Sequence, residues 1–166
     1  MSTFNQDSEQ PGEEWTTRLD WGVINPAAHE AMLQLEKVAH QSNLPPRLIE
    51  LVKIRVSQMN GCSYCLDMHT KDARQLKETE QRLYGLIAWR ESPFFSSTER
   101  VALAWAESVT NIAQGISDDL YQEMCQHFAD AQIVALTTAI ITINAWNRWA
   151  ISMRTRPGSY RPDLAH

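Results

Sequence analysis

Apolar side chains recur every three to four positions along most of this chain, the spacing of helices that bury one face. Asn25 before Pro26 is a helix start, with Asn as N-cap and Pro at the first helical position. Ala28, Met32, Leu35, Val38 and Ala39 then mark a helix that ends near 40–43. Pro45 and Pro46 permit a new start. Leu48, Leu51, Val52, Ile54 and Met59 carry that helix to Asn60–Gly61, a pairing suited to a left-handed C-terminal cap. From Cys62 to about Lys77 the next helix carries Leu66, His69, Ala73 and Leu76 along one side.

Thr79 can cap a short helix with Leu83, Leu86, Ile87 and Trp89, which must stop before Pro93. Ser96 with Glu99 forms a capping box for a helix through Val101, Ala102, Trp105, Val109 and Ile112, up to Gly115. Ser117 caps another, with Asp118 and Asp119 at its positive end and Leu120, Tyr121, Met124 and Phe128 as its stripe. Asp130 is expected to cap the last long helix, AQIVALTTAIITINAWNRWAISM. This segment is apolar on nearly all sides over about fourteen residues, whereas a ~30 Å hydrocarbon layer needs ~20. A central buried helix is expected there; its β-branched residues suit a strand, but its length and lack of turn signals do not. The sum is an all-α fold of about seven helices.

Composition supports this without changing it. A chain of 166 residues, 43% hydrophobic and 21% charged with six Gly, fits one ordered, helix-leaning domain. The expected division is a polar N-terminal arm over 1–18, a helical domain over 19–155 and an extended tail over 156–166. The net charge of −5 and the absence of a basic run argue against nucleic acid or an anionic membrane as partner. The first residues lack the basic and apolar regions of a signal peptide, which leads to the expectation of a cytoplasmic protein. Three cysteines in a reducing compartment, two spaced C-x-x-C, favour catalytic or metal-binding thiols over a disulfide framework. The odd one, Cys125, is expected to be a buried small apolar residue.

The chemistry concentrates between Glu50 and His69. Cys62 and Cys65, at the first turn of a helix, are close enough to form a disulfide and so to store two electrons. Unpaired backbone N–H groups and the helix dipole there favour thiolate. His69 lies four residues after Cys65, one turn along the same face. Glu50 reaches the same place only if the two helices pack side by side, where a carboxylate could orient the imidazole. Zinc held by Cys62, Cys65, His69 and Glu50 is the competing chemistry. A non-catalytic redox sensor that oxidises once is the competing class. His29, His40 and His127 read as surface or cap residues, and the six Trp as packing, with Trp146 and Trp149 as a candidate entrance for an organic peroxide.

Glu50, Cys62, Ser63, Tyr64, Cys65 and His69 at this spacing resemble the alkylhydroperoxidase AhpD-like branch of the carboxymuconolactone decarboxylase family. INAWNR at 143–148 and TEQRLYGLIAWRESPFF from Thr79 resemble its single-domain members, so the likeness spans roughly residues 20 to 155. The resemblance implies an all-helical fold assembled as trimers or hexamers. It implies a thiol peroxidase in which Cys65 attacks the peroxide, Cys62 resolves the sulfenic acid, and Glu50 and His69 relay protons. The implied partners are a hydroperoxide and a dithiol reductant or redox partner protein, with no cofactor and no metal. Founding peroxidases of the branch often carry a second histidine between the cysteines; here Tyr64 stands there and is expected to modulate efficiency and reductant choice. The decarboxylase branch lacks the cysteine pair.

Overall fold

The structure is a computed structural model that describes residues 15–162. Among these residues there are eight α-helices and no strand. They are α1 (Trp21–Ile24), α2 (Pro26–His40), α3 (Pro46–Asn60), α4 (Ser63–Gln75), α5 (Glu80–Gly85), α6 (Ser97–Thr110), α7 (Asp118–His127) and α8 (Asp130–Met153). Two 3₁₀ segments, Leu86–Glu91 and Ile112–Gln114, follow α5 and α6.

Most expected boundaries hold because local cap chemistry sets them. The Asn25 side chain accepts from the Ala28 N–H, and Ser96 and Glu99 form the reciprocal capping box. Gly61 closes α3 with φ +70°, and nothing lies within 4 Å of where a Cβ would sit. Glycine is required there by torsion and not by crowding. Three expectations need correction. The four-residue α1 was not foreseen: Asp20 caps it, but it has no buried residue to betray it by periodicity. Asp130 begins α8 instead of capping it, with Ala129 in the cap position. On α2, Leu35 and Val38 stay exposed, and Ala39 is the fully buried position.

The most enclosed helix is α3, not the apolar α8. Nine of the fifteen residues of α3 are buried, against eight of the twenty-four in α8. α3 packs on α4, α6 and α8 and separates two apolar clusters. Leu48, Ile49, Val52 and Val56 face a cluster shared with α6 and α8, while Leu51 and Ile54 face one with Leu83, Leu86, Trp89 and Leu103. Burial on two sides leaves α3 one remaining side, occupied by Glu50 and Lys53 and turned toward α2 and α4. Cys125 is exposed, contrary to expectation. Met124 and Phe128 are buried, and the residue after Met124 is rotated about 100° away, toward solvent.

The expected arm over 1–18 lies mostly outside the described residues. From Trp15 onward the chain is pinned to the end of α8: Trp15 Nε1 donates to the Arg154 carbonyl at 3.0 Å, and the Arg18 N–H to the Met153 carbonyl at 2.9 Å. The tail after α8 is non-helical and folds back on α4. The Tyr160 hydroxyl donates to Asp72 Oδ1 at 2.7 Å, and Lys71 Nζ to the Tyr160 carbonyl at 3.1 Å.

Candidate active site

The Gly61 turn sends the chain directly from α3 into α4 and lays the two helices side by side. Cys62 is the N-cap of α4, and its sulfur accepts the Cys65 backbone N–H at 3.3 Å. Both cysteines are buried and free. Side-by-side packing brings Glu50 to His69, with Oε2 and Nδ1 2.8 Å apart. Both side chains are about 95% buried. The structure thus brings together the four residues singled out from the sequence. Glu50 thus holds the His69 ring through Nδ1.

The hydrogen bond from the Cys65 thiol, together with backbone N–H donors, overcomes burial and lowers the proton affinity of Cys62. The same bond, burial and the neighbouring negative sulfur raise that of Cys65. The two shifts run in opposite directions, which makes Cys62 the more acidic thiol of the pair. Tyr64 borders both cavities beside the pair, and burial followed by the nearby sulfurs raises its phenol.

Cys65 and His69 line a cavity of about 1110 Å³, whereas Cys62 borders a smaller one of about 470 Å³. The larger is bounded by Trp146 and Trp149, the residues offered as a peroxide entrance, and also by Trp21 and His29. Trp21 stacks on Trp149 with ring centres 4.1 Å apart and planes within 7°. It also lies 5.2 Å from the His29 ring and 5.8 Å from Trp146. His29 is thus part of an aromatic wall and not a plain surface residue.

The sequence reading missed the charges behind Glu50. Lys53 is completely buried, 4.0 Å from Glu50 Oε1, in contact with Glu36 Oε1 and 2.9 Å from His40 Nε2. Burial pushes the Glu36 carboxyl up, but His40 and Lys53 hold it at about 2. Burial likewise opposes ionisation of Glu50, and His69 and Lys53 more than offset it. Asp72 goes the other way: burial and the Glu50 charge raise it, although Tyr160 donates to it. A charged residue three positions after Glu50 in a run of apolar ones was the available signal. Without knowing that α3 buries nearly its whole circumference, Lys53 reads as solvent-facing.

Among the described residues, the metal-compatible grouping is Glu50, His69 and Asp72, with donor atoms within 4.8 Å of one another. It is not the set with two cysteines that the spacing offered. The Lys53 ammonium beside Glu50 disfavours a second cation, and Glu50 and His69 already satisfy each other.

A model of the carboxymuconolactone decarboxylase family matches residues 26–108. The chain belongs to this family. An uncharacterized protein, YdfG of Bacillus subtilis, is 44% identical over 143 residues, covering 86% of this chain and 97% of that one. A solved structure from Agrobacterium tumefaciens is similar with a TM-score of 0.84 and 39% identity, covering 87% of this chain and all of that one. It is ATU0492, a protein of unknown function proposed to be an antioxidant defence protein AhpD. An uncharacterized peroxidase-related protein from Silicibacter sp. TM1040 has a TM-score of 0.75 at 21% identity over 92% of this chain and 96% of that one, a likeness of fold. These similarities put the chain in the AhpD-like branch, whose fold is all-α. No single helix among the described residues is long and apolar enough to cross a membrane.

Proposed function

We propose that this protein is a thiol-dependent peroxidase that reduces an organic hydroperoxide through the Cys62–Cys65 pair, with Glu50 and His69 relaying protons. The observation that carries the reading is the joining of a redox-competent cysteine pair to a buried Glu50–His69 contact on the wall of one cavity. Cys65 is the attacking residue, because it faces the larger cavity while Cys62 borders the smaller one. His69, one turn from Cys65, takes the thiol proton, and the sulfur attacks the terminal peroxide oxygen. The O–O bond breaks, Cys65 becomes a sulfenic acid, and the alkoxide takes the proton back from His69 to leave as an alcohol. The Cys62 thiolate then attacks the Cys65 sulfur, forming the disulfide and releasing hydroxide, which leaves as water after protonation. A dithiol, free or on a partner protein, restores both thiols and becomes a disulfide.

The aromatic wall of Trp21, Trp146 and Trp149 favours a peroxide with an apolar substituent over hydrogen peroxide. Exposed Val23, Ile24, Leu35, Val38, Val134 and Ile141 are consistent with a homo-oligomer, trimeric or hexameric as the family resemblance implies. A cytoplasmic location fits chemistry that depends on reduced thiols.

The test is thiol titration of the reduced protein before and after one equivalent of cumene hydroperoxide, followed by mapping of the disulfide. Two thiols per chain should disappear into a Cys62–Cys65 bond, and a dithiol should sustain turnover. Cys65→Ser should abolish peroxide consumption, and Cys62→Ser should leave a trappable sulfenic acid. Full activity in Cys65→Ser would overturn the assignment, and a single oxidation without turnover would favour a redox sensor.

A further inference from the structure

The two cavities beside the cysteine pair differ in charge as well as in size. The larger, on the Cys65 side, is lined by the carboxylates of Asp20, Glu36, Glu50 and Asp72, with Lys53 and Arg156 as its permanent cations. The smaller, of about 470 Å³, carries Arg18 and Arg154 and no carboxylate. It is also lined by Cys62, Ser63 and Tyr64, the start of α4, where the first N–H groups of the helix add partial positive charge. In a chain of net charge −5 this is a local reversal of sign.

Neither arginine is neutralised. No salt bridge among the described residues includes Arg18 or Arg154. Arg18 Nη1 donates to the Ser152 carbonyl at 3.0 Å, a neutral partner that fixes the guanidinium and leaves its charge uncompensated. The Arg154 guanidinium lies 5.9 Å from the centre of the Trp15 ring. Its backbone sits in the left-handed region at φ +54° at the end of α8, and the Trp15 indole donates to its carbonyl at 3.0 Å. Both cations are thus tied to the end of α8 and border the same cavity as Cys62. A volume of this order suits a small molecule, since such sites run from ~300 to ~1,000 Å³. Cys62 itself is buried, so its sulfur is met only by a group that enters the cavity.

We propose that this cavity is the reductant subsite and takes a small dithiol bearing a carboxylate, whose anion pairs with Arg18 and Arg154 while one of its thiolates attacks the Cys62 sulfur. A guanidinium is a rigid, always charged donor and suits a carboxylate partner. As the bond from reductant to Cys62 forms, the Cys62–Cys65 bond breaks and its electron pair leaves on Cys65. That sulfur takes up the proton the reductant thiol gave up, with His69 one turn away to deliver it. The second reductant thiol then attacks the mixed disulfide, releases Cys62 as a thiolate that regains a proton, and leaves within a reductant disulfide. The two half-reactions are thereby separated in space: peroxide meets Cys65 from the larger cavity, and reductant meets Cys62 from the smaller. That the disulfide arises from peroxide reduction rests on the peroxidase reading, whereas its reduction through this subsite does not require peroxide.

The experiment starts from a Cys62–Cys65 disulfide preformed with diamide, in a Cys125→Ser background so that the exposed thiol does not contribute. Its reduction is timed with 3-mercaptopropionate and with 2-mercaptoethanol, an anionic and a neutral monothiol that both report the first attack, at equal thiolate concentration. The anionic thiol should react about ten-fold faster, an advantage that shrinks as salt rises from about 0.05 M to about 0.5 M. Arg154→Met and Arg18→Met should each cut this ratio about three-fold, and the double substitution should bring it to about one. The mixed disulfide caught by acid quenching should be on Cys62. An adduct on Cys65 overturns the proposal, as does a ratio that is the same in the parent and in both variants. Where a variant does not fold, a salt-independent ratio in the parent overturns it. Reduction with the expected preference in a chain that does not consume cumene hydroperoxide would count against the peroxidase reading and leave the subsite in place.

Discussion

The protein contains two polar networks built by opposite means. On the α2–α4 side, buried Lys53, Glu50 and His69 join half-buried Glu36 and exposed His40 in one set of ionisable groups, with Asp72 and Tyr160 beside it. On the α8 side, Asn60, Asn144, Asn147, Ser57 and Thr110 form a set with no net charge until Arg148 at the surface. Buried charges cost several kcal/mol each to desolvate unless paired, so the ionic set must be complete to exist at all. Neutral amides cost less, and their value lies in direction. The ionic set can change charge with pH, whereas the amide set cannot.

The largest expected effect breaks the ionic side at its centre. Glu50→Gln keeps the shape but removes the charge that orients His69, and should reduce peroxide turnover by about 100- to 10,000-fold in steady-state assays. Turnover within a few-fold of the parent would show that Glu50 is structural. Next in size is Lys53→Met, which leaves Glu36 and Glu50 facing each other without their cation. About 3 kcal/mol of stability should be lost in urea unfolding, because one partner of a buried ion pair is gone.

Acid should distinguish the two networks next. Glu36 and Glu50 have proton affinities depressed in the folded state. Their stabilisation is present above the unfolded carboxylate value of about 4.3 and is lost as pH falls toward the folded value, about 2 for Glu36. The melting temperature should therefore drop between about pH 5 and pH 2.5, and in Lys53→Met this acid limb should flatten. The smallest effect belongs to the amide side. Asn60→Ala should cost about 1 to 2 kcal/mol by the same unfolding assay, and the loss should be the same at pH 7 and pH 4. A pH-dependent loss there would mean that the two networks are coupled.

Cap and turn chemistry was legible one residue at a time. Asn25, Thr79, Ser96 and Ser117 all accept the N–H bonds their positions called for. His69 one turn from Cys65 is likewise a local relation. The two asparagines that interrupted the apolar run of α8 were visible only as interruptions. Their partners Asn60 and Ser57 lie more than 80 residues away, so no periodicity could connect them. Hydrophobicity ranked α8 as the central helix, yet α3, with Glu50, Lys53 and Ser57 buried, holds that place. Burial depends on how many neighbours a helix acquires, and polar groups are tolerated where each finds a partner.

By itself, the sequence determined the helical fold, the turn at Gly61 and the spacing that puts Cys62, Cys65 and His69 at one end of one helix, because these follow from interactions within a few residues. Tertiary structure alone decided that Glu50 meets His69, that Lys53 is buried behind it, that Trp21 closes against Trp149 and that Asn147 meets Ser57. Each of these is a contact between distant segments. Its geometry exists only after the apolar faces of α2, α3, α4 and α8 have packed, since packing, not local propensity, fixes the distances between helices.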